Sequence, residues 1–485
     1  MKEKHVIIIG SGLGGLVCGY ILAKNGYRVS VLEKNAQMGG CLQTFSRHGI
    51  KYETGMHYIG SMDEGQILYK YFDYLALLPD VPLQALDKTA YEIISIAGKR
   101  FHFANGREHF VESLSRHFPN ERANLERYCR TVHDVATHSL HSLQHNYDAL
   151  LQNARSVNGW IESAISDKLL QQILAGNLPL YAGIKDKTPF YIHALISDFY
   201  NRSAYRIVGG SDVIVRSLVN SIRSMGGTVR TDSQVSKINC NTTNAVSAVL
   251  TDGEEIGSDF FISAIHPVRT LEMLGNTPLI RKAYRERIRG LDNTVSNFTL
   301  YLQFKRNTLP YMNSNFYHYN DTVWGCENYT PNDWPKNFLY MHLCSSAGQK
   351  YADAAVIISY MNFEDVSRWQ HTRVGCRGDE YESFKQQKAE RLLESLERQM
   401  PGTRENIERY YTSTPLTYLN YTGTENGATY GILHDCNHPV QSSVSQRTKI
   451  PNLFLTGQNT SAHGILGVII GAMITSGELM QVRYC

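Results

Sequence analysis

The chain has 485 residues and a net charge of +3, with 48 lysines and arginines against 45 acidic residues. This near balance argues against nucleic acid as the main partner, and the length predicts two or three domains whose cores need neither disulfides nor metals. Nine scattered cysteines without a Cys-x-x-Cys pair are typical of reduced thiols in the cytosol. No apolar run reaches the ~18 residues of a membrane span. We therefore expect a cytoplasmic protein without a secretory signal, and a peripheral membrane contact stays open.

The first 26 residues predict the opening half of a βαβ unit that binds a dinucleotide. An apolar strand at residues 5–9 runs into the turn Gly10-Ser11-Gly12-Leu13-Gly14-Gly15, and a helix follows. Gly10 permits the tight turn, Gly12 lets a pyrophosphate approach the backbone, and Gly15 lets the helix pack on the strand. The free N–H groups at the helix N-terminus favour the negative diphosphate. We expect one apolar face on this helix, made of Leu13, Leu16, Val17, Tyr20 and Ile21.

A second apolar strand at residues 27–32 ends at Glu33, which is followed by Lys34. A carboxylate at this position accepts both hydroxyls of a ribose and repels a 2′-phosphate, so the site disfavours NADP. The elements occur in the order that a dinucleotide site requires: strand, turn, helix, second strand and acidic residue. A glycine-rich turn in an ordinary α/β unit would not need the acidic residue at the end of the second strand. The residues expected to contact the nucleotide are Gly10, Gly12, Leu13, Gly14, Gly15, Glu33 and Lys34.

Further along the chain, helical and strand-rich segments alternate. Residues 110–175 are predicted to be mainly helical, and residues 212–225 form an amphipathic helix. Short strands with turn residues between them are expected at 226–265, and a strand-rich aromatic region at 295–363. A charged helix at 379–400 is stopped by a Pro-Gly pair.

The C-terminal segment is predicted to return to the nucleotide domain. Residues 451–457 read as a strand that ends in glycine, and a helix beginning near His463 carries Gly464, Gly467, Gly471 and Gly477. Each interior glycine costs roughly 0.5–1 kcal/mol relative to alanine. Either close approach to a bulky ligand or tight packing of the helix explains them.

The predicted class is therefore α/β, with two domains built from interleaved segments. The nucleotide-binding domain takes residues 1–75, 205–290 and 440–485. The substrate domain takes residues 76–204 and 291–439. A ligand cleft is expected where the two meet.

The chain resembles the FAD-dependent phytoene desaturase, carotenoid isomerase and retinol saturase family over nearly its whole length, and the retinol saturase branch most. Cys41 stands where many desaturases and amine oxidases have arginine, which favours saturation over desaturation. Residues 204–208 lack the branch's Tyr-Pro pair, and Asn459 replaces a frequent aspartate, which leaves the natural substrate open. The matching segments are Gly39-Gly40-Cys41 with Thr44-Phe45, residues 54–60, residues 193–196 with Gly209-Gly210, residues 414–417, residues 427–431 with His434-Asp435, and residues 455–459 with 464–467.

The resemblance implies a two-domain FAD-binding Rossmann-like fold of the amine oxidase and GDP-dissociation inhibitor (GR2) type, with an α+β substrate domain. It also implies FAD as the cofactor. His57, Tyr58 and His463 become the candidates for polar groups beside the flavin, one of which, or water, would act as the acid; alternatively His57 and Tyr58 only pack there. The further FAD-binding residues that it implies are Gly39, Gly40, Cys41, Val235, Gly457, Gln458, Gly464, Leu466 and Gly467.

The reaction implied is reduction of a C=C bond in a polyene or isoprenoid lipid. Two alternatives stay open: cis–trans isomerisation or desaturation of a carotenoid, and a lipid carrier without catalysis, like the GDP-dissociation inhibitors. There is no second glycine fingerprint, so electrons are expected from a partner protein or from NAD(P)H bound transiently.

Four other features remain to be interpreted. Cys41 is expected to pack beside the diphosphate rather than to act as a nucleophile. The aromatic residues at 316–319, with Trp324, Tyr329, Trp334 and Tyr340, would line a lipid tunnel or form the core face of a sheet. No metal site is expected, and His434, Asp435 and His438 are interpreted as an ordinary loop. The basic residues at 281–289 are interpreted as a solvated helix face.

Overall fold

The structure is a computed structural model that describes residues 4–145, 155–460 and 462–482. Its strands, numbered along the described chain, are β1 (His5–Ile9), β2 (Arg28–Leu32), β3 (Thr44–Arg47), β4 (Ile50–Glu53), β5 (Ile59–Gly60), β6 (Leu83–Ala85), β7 (Glu92–Ile96), β8 (Lys99–Phe103), β9 (Ala204–Ile207), β10 (Thr228–Arg230), β11 (Val235–Cys240), β12 (Ala245–Leu250), β13 (Glu255–Gly257), β14 (Phe260–Ser263), β15 (Ser296–Phe304), β16 (Asn315–Tyr319), β17 (Asn337–His342), β18 (Ala354–Met361), β19 (Ile407–Ser413) and β20 (Leu453–Leu455).

The α-helices of the same residues are α1 (Leu13–Lys24), α2 (Ile67–Tyr74), α3 (Arg107–Ser115), α4 (Arg122–His145), α5 (Val157–Ala164), α6 (Lys168–Leu174), α7 (Phe190–Arg202), α8 (Asp212–Ser224), α9 (Pro267–Met273), α10 (Lys282–Arg289), α11 (Asp379–Gln399), α12 (Pro415–Thr422) and α13 (Gly464–Met480). The predicted helices at 212–225 and 379–400 are confirmed as α8 and α11. The helical region predicted at 110–175 is confirmed in α3 to α6, and its residues 146–154 lie outside the described residues.

A parallel five-stranded sheet, in the order β10-β2-β1-β14-β20, combines segments that are far apart in the chain. All five residues of β1 are buried, as expected for a strand covered on both faces of a parallel sheet. Because the strands run in one direction, their carboxyl ends share one edge. The glycine turn after β1, Glu33 after β2 and Gly457 after β20 therefore meet at that edge.

Helix α1 corrects a prediction. The sequence pattern predicted one apolar face, but every residue from Leu13 to Ala23 is buried. The sheet covers one side of the helix, and α8 and α13 pack against the others. Gly19 makes this possible, because a Cβ there would lie 3.0 Å from the Ile222 side chain on α8. A helix enclosed on all sides needs apolar residues all round.

A mixed seven-stranded sheet, in the order β19-β15-β18-β17-β16-β7-β8, forms the second large layer. Only β16 and β7 pair in parallel. Its side chains alternate between two cores: Phe316 and Tyr340 pack toward α11, while Tyr317 and Tyr319 join the core of the helices α4 to α7. The aromatic residues at 316–319 therefore form the sheet core, not a tunnel wall.

The mixed α/β class is confirmed, and the strands of each large sheet come from the segments predicted for one domain. The domain boundaries themselves stay a prediction, and the one placed between residues 204 and 205 falls inside β9. None of the helices in the described residues combines the length and apolar character needed to cross a membrane.

Candidate active site

The turn after β1 is closed so tightly that only glycine fits at two of its positions. Gly10 has a φ of +98°, and a Cβ on it would lie 2.9 Å from the Ile265 side chain. A Cβ on Gly15 would lie 2.2 Å from the Gly10 carbonyl oxygen, which brings α1 against β1. A Cβ on Gly14 would lie 3.0 Å from the backbone of Gly457. The turn is thus packed between the ends of β1, β14 and β20.

Gly12 differs from these neighbours, because a Cβ there would have nothing within 4 Å. It precedes α1 with φ −63° and ψ 170°, a conformation open to any residue. No side chain caps the N-terminus of α1, so its free N–H groups face the same open space. This is the geometry that a helix N-terminus offers to a diphosphate.

Glu33 is 6% exposed, and its carboxylate is the acceptor for three protein donors. Ser11 donates its N–H and its hydroxyl to Oε2, at 3.0 and 2.6 Å, and Asn35 donates its N–H to Oε1 at 2.9 Å. The Ser11 hydroxyl also accepts the N–H of Gly39 at 3.1 Å. Since a carboxylate has about four acceptor positions, one is left for a ribose hydroxyl.

The glycine pair at 39–40 lies directly across from Gly12. Both glycines have positive φ, +117° and +55°, and a Cβ on Gly40 would lie 3.2 Å from the Gly12 Cα. Cys41 follows on the wall of the cavity, and burial raises the pKa of its thiol to about 11. A protonated thiol is a poor nucleophile, which agrees with the packing role expected for Cys41.

These elements enclose a cavity of about 770 Å³, within the roughly 300–1,000 Å³ of ligand pockets. His57 and Tyr58 also line it. Gly15, Leu466, Gly467 and His463 do not: Gly15 packs inside the turn, and the other three line a small neighbouring cavity. The predicted nucleotide residues on its wall are Gly10, Gly12, Leu13, Gly14, Glu33, Lys34, Gly39, Gly40, Cys41, Val235, Gly457, Gln458 and Gly464.

The glycines of α13 divide between the two explanations given for them. Gly464, at the helix start, lines the cavity and has open space around it. A Cβ on Gly467 would lie 2.7 Å from the Ala462 side chain, and one on Gly471 would lie 3.4 Å from the Thr460 hydroxyl. Gly467 and Gly471 thus let the helix pack on the preceding loop.

The three predicted catalytic side chains occupy different positions. The Nδ1 of His57 lies 3.7 Å from Glu53 Oε2, too far for a hydrogen bond. Tyr58 donates its hydroxyl to Glu92 Oε1 at 2.6 Å. The ring of His463 packs on Tyr430 with 4.8 Å between centroids, and burial lowers its pKa to about 3. His463 is therefore uncharged at neutral pH.

Several residues of the site were not found from the sequence. Glu92 and Tyr317 meet behind the cavity wall at Tyr58, and Arg269 lines the wall within reach of Lys34. The signal for Glu92 was available, since it is the one acid in an apolar strand (EIISI). Tyr317 belongs to the aromatic segment at 316–319, but no local pattern marks its contact with Tyr58, and none marks Arg269.

Two further features singled out in the sequence are the loop at His434 and the basic helix at 281–289. Burial lowers the pKa of His434 to about 4, and within the described residues no group of three potential ligands could hold a metal ion. On α10, Arg287 donates to the carbonyls of Gln441 and Ser443. This basic helix is therefore hydrogen-bonded to a neighbouring loop and is not wholly a solvated face.

We call the glycine turn at residues 10–15, together with the pair Gly39-Gly40, the glycine cradle. This cradle, the open N-terminus of α1 and the Glu33 carboxylate fit the diphosphate and ribose of FAD. The chain matches the flavin containing amine oxidoreductase family over residues 13–478. It belongs to that family. The protein is thus an FAD-dependent oxidoreductase with the amine-oxidase type of two-domain fold.

Individual relatives agree with this assignment. Across 534 aligned residues the chain is 27% identical to all-trans-retinol 13,14-reductase of Rattus norvegicus, covering 99% of this chain and 86% of the rat protein. It is 22% identical to 4,4'-diapophytoene desaturase (4,4'-diapolycopene-forming) of Methylomonas sp, covering 100% and 96%. The crystal structure of an oxidoreductase from Methanosarcina mazei shares the fold, with a TM-score of 0.68, 17% identity and coverage of 97% and 99%.

A Gly12→Ala variant tests the cradle. Its Cβ meets no protein atom and its φ suits alanine, so the fold should stay intact while the methyl group obstructs the diphosphate. We expect FAD affinity to fall roughly tenfold or more, a loss of about 1.4 kcal/mol or more. Titration of the apoprotein with FAD measures this. Gly257→Ala, on an exposed strand, is the control. Equal affinities in the two variants would contradict the cradle.

Replacing Glu33 tests the ribose contact. Glu33→Gln keeps the size of the side chain but loses the charge that strengthens its hydrogen bonds, so FAD should bind roughly tenfold more weakly or worse. Glu33→Arg should lose FAD entirely. The visible flavin spectrum after ultrafiltration reports retention, and Glu64→Gln, at an exposed position, is the control. A yellow Glu33→Arg protein would rule out this site.

Proposed function

We propose that the protein uses FAD to reduce a C=C bond of a polyene or isoprenoid lipid. One observation carries the proposal: a single cavity joins the glycine cradle to the apolar side chains of β17 and β18. The similarity to all-trans-retinol 13,14-reductase and to a carotenoid desaturase over nearly the full chain supports a polyene as the substrate.

The two ends of this cavity differ in polarity. Its charged wall residues are Glu33, Lys34, Arg269 and Glu272. Burial lowers the pKa of Lys34, Glu33 opposes this shift, and the positive charge of Arg269 adds to it. The wall also includes the apolar side chains of Leu339 and Met341 of β17, Ile358 of β18, and Met56. A lipid chain is stabilised by such a wall in proportion to the apolar area it buries.

When bound, FAD supplies hydride transfer to and from carbon. The side chains of this protein would supply the proton for the neighbouring carbon and exclude water. Burial raises the pKa of Tyr58 well above its ordinary value, so the phenol keeps its proton at neutral pH on the cavity wall. We propose Tyr58 as the acid and keep His57, on the same wall, as the second candidate. His463 lies outside the main cavity and is uncharged, so it is better suited to packing.

The source of electrons belongs to the proposal as well. The chain holds one glycine fingerprint, which the FAD site uses, so a partner protein or NAD(P)H bound transiently in the substrate cleft would reduce the flavin. A peripheral membrane contact would bring the enzyme to an insoluble substrate. The electron donor and the membrane contact both remain predictions.

The reaction is tested by mixing anaerobically reduced protein with all-trans-retinol and with a carotenoid in deuterated water. We expect the flavin to reoxidise in one turnover and the product to gain two hydrogens, with deuterium from the solvent at the carbon that takes the proton. The Gly12→Ala apoprotein, carried through the same steps, shows what occurs without FAD.

Other outcomes of this experiment contradict the proposal in distinct ways. A product of unchanged mass and altered geometry means isomerisation. A purified protein that is colourless and gains no flavin spectrum with added FAD means a lipid carrier. Flavin that stays reduced with every polyene excludes reduction of such lipids.

A further inference from the structure

Behind the cavity wall lies a carboxyl group that the reaction described so far does not use. Glu92 opens β7 and is 0% exposed. It is paired in the sheet with Asn315 of β16 and Phe103 of β8. Its Oε2 has no hydrogen-bond partner among the described residues. A buried polar atom without a partner destabilises the fold, so its presence calls for a functional explanation.

Tyr58 connects this carboxyl to the cavity. Its hydroxyl lies 2.6 Å from Glu92 Oε1 and 2.5 Å from the Tyr317 hydroxyl, while Tyr58 itself lines the cavity. The position of Tyr58 is fixed from the other side by Tyr200, whose ring lies 4.4 Å away and whose hydroxyl donates to the Tyr58 carbonyl at 3.3 Å. A short hydrogen-bonded path therefore runs from Glu92 to the cavity wall.

The surroundings of Glu92 contain phenols and no ion-pair partner. Arg206 is a buried cation nearby in the fold, but its Nη2 donates to Asn315 Oδ1 at 2.8 Å, and no ion pair within 4 Å joins any described cation to Glu92. Burial accordingly raises the pKa of Glu92 to about 8, against the opposing hydrogen bonds from Tyr58 and Tyr317. The titratable groups close enough to interact with its charge are all phenols: Tyr58, Tyr91, Tyr128, Tyr181, Tyr200, Tyr317 and Tyr319.

We propose that Glu92 is the proton reservoir of the reaction and restores the proton that Tyr58 gives to the substrate. The inference rests on the proposed reduction of a C=C bond. With FAD bound, the cofactor would supply the hydride for one carbon. The Tyr58 O–H bond breaks as the neighbouring carbon takes its proton, and the Glu92 O–H proton passes to the phenol oxygen. After the product leaves, water in the cavity returns a proton to Glu92 through the Tyr58 hydroxyl, and hydroxide is released.

The reservoir solves a specific difficulty of this site. A free Tyr58 phenolate would be strongly disfavoured, because burial opposes a negative charge there. Glu92 bears that charge at a lower free-energy cost, since its pKa is the lower of the two. Glu92 is thus a positioning residue that acts through Tyr58.

Glu92→Gln keeps the acceptor for Tyr58 but has no acidic proton. In single turnovers of reduced protein with all-trans-retinol, we expect its rate to fall roughly 100-fold, within the range of general acid catalysis. The wild-type rate should fall as the pH rises through about 8, because Glu92 then loses its proton, and the variant should lack this step. Glu394→Gln, an exposed position on α11, should match the wild type.

A second measurement needs no turnover. The infrared C=O band of a protonated carboxylic acid should be present in the wild type at neutral pH, disappear above pH 8 and be absent from Glu92→Gln. Tyr317→Phe removes a hydrogen bond that lowers the pKa of Glu92, so it should shift both the band and the rate profile to higher pH.

The outcomes separate the reservoir from the reaction itself. If the wild type reduces retinol but Glu92→Gln keeps its rate and pH profile, the role of Glu92 is overturned and the proposed function stands. The same holds if no band depends on Glu92, or if Tyr317→Phe moves the band and not the rate. If the wild type reduces no polyene, both proposals fail together.

Discussion

The nucleotide end of the protein depends on the buried carboxylate of Glu33. It takes both donors of Ser11, and Ser11 takes the N–H of Gly39, so one carboxylate holds the first glycine turn and the second glycine pair at a fixed separation. The open space at Gly12 exists only while these two segments stay apart. A charged acceptor suits this task because its hydrogen bonds are about twice as strong as neutral ones. The cradle and the ribose contact are thus parts of one network.

The fold places this network beside apolar side chains because segments that are far apart in the sequence meet around one cavity. β14 and β20 complete the sheet whose carboxyl edge carries Glu33, while β17 and β18, from the other large sheet, close the cavity opposite. Neither sheet forms the cavity alone. The cavity thus lies where the two sheets meet, and junctions of this kind are a usual place for ligand sites.

The residues that were predictable are those whose roles are local. Gly10, Gly12 and Gly15 act within one turn, and Glu33 follows a strand that its own sequence marks, so the motif alone located them. The link from Tyr58 to Glu92 and Tyr317 was not predictable, because it spans 34 and 259 residues and depends on the register of β7 and β16. The enclosure of α1 was missed for the same reason: only the packing of α8 and α13 shows that it lacks a solvent face.

Charge is arranged in opposite ways at the two ends of the cavity. The nucleotide end keeps ionised groups, as a diphosphate and a ribose require. Elsewhere on the cavity wall, burial raises the pKa of Tyr200, Tyr360, Tyr418 and Tyr430, so all four are neutral phenols. The proposed lipid substrate would therefore meet uncharged side chains there, and a proton that leaves one of them would create a charge that water does not stabilise. A neighbouring acid that replaces the lost proton therefore matters more here than it would at the surface. Glu92 is the carboxyl group that the fold places beside this wall.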